Sequence, residues 1–161
     1  MGAIEIETDY TRVRDWLQAG QWRQADEATR SLLRQLAGVT GDDFVCETHA
    51  IAFPCADLDR LDRWWRDCSE GRFGFSVQSH IWQQVGGRNP DANYRTWLRF
   101  GERVGWWRGC WIDDESKFQF DTNAPVGHLP AVWLEEWEFG EVLVSLFDRL
   151  DHCQIGEIAT G

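Results

Sequence analysis

Residues Phe53–Gln78 read FPCADLDRLDRWWRDCSEGRFGFSVQ, and the fold turns on this stretch. Pro54 pushes Phe53 toward extended backbone. Asp57 is placed to cap a helix that turns Leu58, Leu61, Trp64, Trp65 and Cys68 inward. Asp59, Arg60, Asp62, Arg63, Arg66 and Asp67 fall on its outward side, so Asp57, Asp59 and Asp62 read as a cap and a solvated face, not as a catalytic pair. Gly71 ends this helix, and Gly74 lets the chain reverse between Phe73 and Phe75. Ser76 then caps a second helix with Val77, Ile81, Trp82 and Val85 as its buried stripe. The GRFGF turn is too short and too aromatic to cradle a phosphate, so the stretch reads first as architecture.

Upstream, residues 9–38 predict a helical hairpin. Thr8 or Asp9 caps a helix with Tyr10, Val13, Trp16 and Leu17 on one face, and Gly20 stops it. A second helix runs from Gln21 to Ala37 on the stripe Trp22, Ala25, Ala28, Leu32, Leu33 and Leu36, closed by Gly38. No second copy recurs at a fixed period, so this is a single hairpin. Arg30, on its polar face, is within reach of a ligand carboxylate, although by sequence alone it reads as a solvated side chain. Residues 39–51 read as a loop with one helical turn at Glu47–Ala50.

Downstream, Gly86-Gly87-Arg88-Asn89-Pro90 breaks the pattern, and Asp91 restarts a helix carrying Tyr94, Trp97, Leu98 and Val104. From Gly105 to Gly127 the helical signal ends. The aromatics Trp106, Trp107, Trp111, Phe118 and Phe120 flank the polar tip Asp113-Asp114-Glu115-Ser116-Lys117. So long a loop is uncommon inside a domain unless it is functional or partly folded. It reads either as a hairpin pairing Cys110–Ile112 with Phe118–Phe120 or as an aromatic flap over a cavity. His128-Leu129-Pro130 begins the last helical part, with Trp133, Leu134 and Trp137 on one face. After Gly140 a closing helix brings Val142, Leu143, Leu146, Phe147 and Leu150 inward, and the tail QIGEIATG frays.

A chain of 161 residues fits one domain, with 43% apolar and 27% charged residues. Its eleven tryptophans imply a heavy aromatic core, a pocket for a flat ligand, or both. The net charge of −11 and pI near 4.7 disfavour a nucleic-acid partner, since phosphate binding draws on clustered Lys and Arg. No apolar run of membrane-spanning length occurs, and MGAIEIETDY lacks the features of a signal peptide, so a cytoplasmic protein that is not an integral membrane protein is expected. The five cysteines are odd in number and irregularly spaced, and read as free buried thiols. Cys46-x-x-His49 resembles half of a zinc site, but no second pair completes it, so no dedicated metal site is expected. The histidines His49, His80, His128 and His152 stand beside no nucleophile elbow, and nothing else supports an enzyme.

The segments WRQADEATRSLL (22–33), FPCADLDRLDRWW (53–65), GRFGFSVQSHIW (71–82), RVGWWRGCW (103–111) and NAPVGHLPA (123–131) together resemble the GUN4 domain, over nearly the whole of Tyr10–Cys153. The resemblance implies a mainly α, compact, cupped-hand domain over 8–153, with flexible termini at 1–7 and 154–161 and the long aromatic loop 105–127 as its lid. It implies a non-catalytic regulator or carrier of tetrapyrrole metabolism. The ligand would be a porphyrin such as protoporphyrin IX or its magnesium complex, or a bilin, held non-covalently. The implied partners are the large subunit of magnesium chelatase or a signalling protein, and a monomer is expected.

A porphyrin offers two apolar faces and two propionates, and so asks for a greasy wall with arginine at the rim. Arg30 matches a family arginine near the ligand's carboxylates, and Phe75 and Phe118 match palm and loop aromatics. Gln78, Trp106, Trp111, Phe120, His128 and Leu129 complete the candidate ligand-binding set. The chain departs from the tetrapyrrole-binding type at two places. The acidic Asp113-Asp114-Glu115 replaces a loop-tip tryptophan, and Leu134-Glu135-Glu136-Trp137 replaces two arginines after GHLP. Acids there repel a propionate, which keeps a second reading open: a GUN4-fold interaction or signalling module without high-affinity porphyrin binding.

Overall fold

The computed structural model describes residues 2–131 and 139–156. Helices α1 (Gly2–Gln18) and α2 (Trp22–Ala37) form the antiparallel hairpin, and α3 (Glu47–Ala50) is the single turn read from the sequence. Helices α4 (Cys55–Cys68), α5 (Phe75–Gln84), α6 (Tyr94–Val104) and α7 (Phe139–His152) follow. The fold is therefore mainly α. Of the two readings of loop 105–127, the hairpin pairing Cys110–Ile112 with Phe118–Phe120 does not form; the loop holds one isolated bridge, Trp107 to Trp111, and a short 3-10 turn over Glu115–Lys117. The stripe Trp133, Leu134 and Trp137 and the acids Glu135 and Glu136 lie outside the described residues.

The apolar stripes explain the packing. Trp22, Ala25, Leu32 and Leu33 of α2 are buried, and the Trp22 ring meets Trp65 at 6.2 Å and Phe73 edge-on at 5.4 Å. Such rings each remove a large apolar area from water, worth about 2–3 kcal/mol when fully buried. The one polar group of Trp65 is satisfied as well: its indole N–H donates to Thr29 Oγ1 at 3.0 Å, and Thr29 donates to Ala25 O at 2.7 Å. From α7, Val142, Leu143, Leu146, Phe147 and Leu150 all enter the core, as their spacing predicts. Trp16 of the α1 stripe is an exception and stays exposed.

Helix starts depart from the sequence reading, and the reason is tertiary. α1 begins at Gly2, not at Thr8 or Asp9; Asp9 instead accepts a hydrogen bond from Gln35 of α2. Pro54, extended at φ −60° and ψ 133°, precedes α4, so Asp57 falls in the first turn and accepts from the Tyr10 hydroxyl. Ser76 is likewise not a cap. α5 begins at Phe75, and the Ser76 backbone N–H donates to Asp62 Oδ1 of α4 at 2.8 Å. Asp62 is therefore buried, not solvated, with Arg66 Nε 2.9 Å away. Burial pushes its carboxyl upward against the pull of Ser76 and Arg66. Gly74 sits at φ 136°, and a Cβ there would come within 3.0 Å of both Asp62 and Arg66, so this crossing of α4 and α5 admits only glycine.

α6 starts at Tyr94, capped by Asn93 rather than reopened by Asp91. Asn93 Oδ1 accepts from Arg95 N at 2.9 Å, and Thr96 Oγ1 accepts from Asn93 N at 3.1 Å. Tyr94 lies on the exposed side. Residues 128–131 are non-helical, so the last helical part does not begin at His128. The cysteine expectation is overturned too. Cys55 and Cys153 form a disulfide that joins the start of α4 to the end of α7, while the free Cys46 and Cys110 are exposed. Two cysteines far apart in sequence become neighbours only through the fold, which spacing alone cannot show. Ile155 is buried despite its place in the expected frayed tail.

Candidate functional site

Because α2 turns its apolar stripe into the core, Arg23, Glu27, Arg30 and Arg34 line up on the opposite face at steps of four, three and four residues. Past Gly38, left-handed at φ 71°, the chain doubles back beside this stripe. Arg34 fixes it there: Nη1 donates to Asp43 O at 2.8 Å and Nη2 to Gly41 O at 2.9 Å. Between α2 and residues 41–44 lies an open cleft of about 710 Å³, lined by Glu27, Arg30, Ser31 and Arg34 on one wall and by Phe44 on the other. Phe44 is 62% exposed, an apolar ring left in water at the mouth.

At the other end of the stripe α2 meets loop 105–127. The Arg23 guanidinium lies 4.5 Å over the Phe120 ring and 3.3 Å from Glu115. Beneath them Asp26 is buried, and its Oδ1 accepts from the Ala131 backbone N–H at 2.6 Å. Burial pushes the Asp26 carboxyl up to about 7, with Glu115 and Glu27 adding to the rise and Ala131 and Arg30 opposing it. Glu27 is raised too, first by burial and then by Glu115.

Behind this charged face stands a closed aromatic block. Phe75, Gln78, His128 and Leu129 have no exposed surface, and Trp106 and Phe118 are buried. Gln78 Nε2 donates to Gly127 O at 3.0 Å and to Pro130 O at 2.9 Å, while the Trp106 indole N–H donates to His128 O at 2.9 Å. His128 is held from two sides. Its Nδ1 faces Val104 O at 2.7 Å, and its Nε2 accepts from Gln119 N at 2.9 Å, an arrangement that requires the neutral ring protonated at Nδ1. Burial lowers its pKa, consistent with that form. One imidazole thus ties the end of α6, the loop and the residues after Gly127 together.

Of the residues read from the sequence, six gather in this block: Phe75, Gln78, Trp106, Phe118, His128 and Leu129. Phe120 joins the block to α2 through Arg23, with the Phe118 ring 6.2 Å away. Arg30 stands on the open cleft. Trp111 goes elsewhere, stacked on Trp97 at 5.7 Å with its N–H donating to Tyr94 Oη at 3.0 Å. It lies so close to α6 that a Cβ at Gly101 would come within 2.6 Å of the indole. Sequence reasoning missed Arg23, Glu27, Arg34, Phe44 and Glu115 as members of one surface, and Asp26 as the buried acid beneath it. The spacing of the four α2 residues was the available signal.

Comparison with known proteins gives the family. The GUN4-like family model matches residues 4–144. The Arabidopsis thaliana protein named "Tetrapyrrole-binding protein, chloroplastic" is 32% identical over 140 residues, covering 78% of this chain and 49% of the relative. The Ycf53-like protein of Synechocystis sp. is 32% identical over 127 residues, covering 77% of this chain and 51% of the relative. The chain therefore spans about half the length of the curated relatives it matches. Among solved structures, GUN4 from Chlamydomonas reinhardtii superposes with a TM-score of 0.68 at 28% identity, covering 86% of each chain.

Proposed function

The chain belongs to the GUN4-like family, and from that premise we propose that it is a non-catalytic tetrapyrrole-binding protein, a regulator or carrier in tetrapyrrole metabolism. Its ligand is a porphyrin such as protoporphyrin IX or Mg-protoporphyrin IX, or a bilin, bound non-covalently by a single cytoplasmic domain over 8–153. The observation that carries this reading is the α2 cleft, with Arg30 on its wall and exposed Phe44 at its mouth. Its volume lies within the roughly 300–1,000 Å³ usual for small-molecule sites. Arginine there suits a propionate, by a charge-assisted hydrogen bond.

The residues fit the carboxylated edge of a tetrapyrrole better than its faces. The aromatic block is packed on itself, so a macrocycle lies along the α2 stripe, between Phe44 and Phe120, or reaches Phe118 and Phe75 after the loop swings aside. His128, Gln78, Leu129 and Trp106 then act as the frame that shapes the floor. By the same family resemblance, the large subunit of magnesium chelatase is the partner proposed, and the protein works as a monomer.

Titration with protoporphyrin IX, followed by tryptophan quenching and the Soret band, tests this reading. Saturable binding is expected, and none below about 100 μM overturns it, since that limit corresponds to less than about 5.5 kcal/mol of binding. A second reading, an interaction or signalling module without porphyrin affinity, is favoured by the acids Glu27, Asp42 and Asp43 that line the cleft. Recovery of a signalling protein but no chelatase subunit in a pulldown supports it, and stimulation of a reconstituted chelatase by this chain excludes it.

A further inference from the structure

Loop 105–127 rests on α2 through very few charges. Arg23 reaches Glu115 at 3.3 Å and covers the Phe120 ring, so a single cation holds both sides of the 3-10 turn Glu115–Lys117. The neighbouring charges of the tip are committed elsewhere. Lys117 pairs with Asp113, and Asp114 Oδ1 accepts from Ser116 N at 2.9 Å. Glu115 meanwhile sits against Glu27, whose carboxyl it raises by charge and by a side-chain hydrogen bond, and above Asp26, whose carboxyl it raises by charge. The chain thus delivers its own carboxylate to an arginine of the α2 stripe, in an environment that repels carboxylates.

We propose that Glu115 is an internal competitor, which occupies Arg23 in the place of a ligand carboxylate and keeps loop 105–127 latched on α2 until an anionic ligand displaces it. This rests on the carboxylated-ligand reading above. Arg23 is here both latch and receptor: it releases the loop tip as it accepts the ligand. The exchange costs little, because a latch held by one exposed ion pair, one ring contact and a hydrogen bond to Glu27 is weak. The acidic tip then serves as a gate.

Two measurements on the same full-length variants test this. The first is hydrogen exchange of the 113–120 amides without ligand, and the second is titration with protoporphyrin IX. Glu115→Gln and Arg23→Ala should each speed exchange about three- to tenfold. The charge-reversed pair Arg23→Glu with Glu115→Arg should return exchange toward the wild-type rate. Glu115→Gln should bind protoporphyrin IX several-fold more tightly, and Arg23→Ala more weakly. Unchanged exchange in both single variants overturns the proposal, as does a Glu115→Gln protein that binds no more tightly than wild type. If no variant binds protoporphyrin IX, the ligand reading falls, and the exchange data alone decide whether the latch exists.

Discussion

The aromatic block and the α2 stripe adjoin, yet they are built on opposite principles. In the block, Phe75, Gln78, His128 and Leu129 are sealed, and the side-chain amide, imidazole and indole N–H groups are hydrogen-bonded. Along the stripe, Arg23 and Glu115 are half-exposed, three acids crowd one another, and a ring stands open to solvent. Packed, hydrogen-bonded groups hold a single geometry, whereas exposed charges rearrange at small cost. The block therefore carries shape, and the stripe carries response.

Substitutions that separate stability from binding test the contrast. The largest effect is expected in the block: Phe75→Ala should lower unfolding free energy by about 3–5 kcal/mol, through lost burial and the cavity left behind. Urea denaturation checks it, and a loss under 1 kcal/mol would remove the block's claim to be the frame.

Asp26 sits at the seam, and its effect depends on pH. Its carboxyl rises from 3.8 to about 7 on folding, so the folded state binds the extra proton between those values. Stability on this account is full below the lower value, falls as pH rises toward 7, and is flat beyond. Asp26→Asn should abolish that slope and stabilise the protein by about 1–3 kcal/mol above pH 7, with no gain near pH 3.5. His128 acts in the opposite sense, since burial lowers its pKa and its contribution is lost as pH falls below its unfolded value near 6.5. Unfolding curves measured from pH 3.5 to 8 on wild type and the Asn variant should separate the two.

On the stripe, Arg30→Ala should weaken protoporphyrin IX binding by about 1–2 kcal/mol and cost less than that in stability. An equal loss of stability would move Arg30 from the responsive region into the frame. Arg34→Ala should have the smallest effect of the series, about 0.5–1 kcal/mol of stability from two exposed hydrogen bonds. Faster amide exchange confined to residues 39–44 would show that Arg34 serves to hold the cleft wall.

Much of the frame was legible because local patterns decide it. The apolar stripe of α2 from Trp22 to Leu33 and the inward set of α7 follow from periodicity and glycine stops. The caps were not legible, because Asp62 serves a different helix and appears in sequence as one more acid on a polar face. The same blindness hid the stripe as a site. Arg23, Glu27 and Arg34 look like an ordinary solvated face until residues 41–44 and Glu115 are brought against them. Trp111 shows the converse error: an aromatic in the right loop that stacks on the outside of α6.

The Cys55–Cys153 bond closes a covalent ring that contains the whole of α4, α5, α6, loop 105–127 and α7. Its consequence concerns connectivity. A protease cut at Lys117, or anywhere else within the ring, leaves one molecule with two new ends instead of two fragments. On a gel the nicked chain runs as a single species until a thiol reductant is added, and only then separates. The loop tip can thus be severed while both halves of the frame remain tethered, which allows the loop's covalent continuity to be removed without removing the parts it connects.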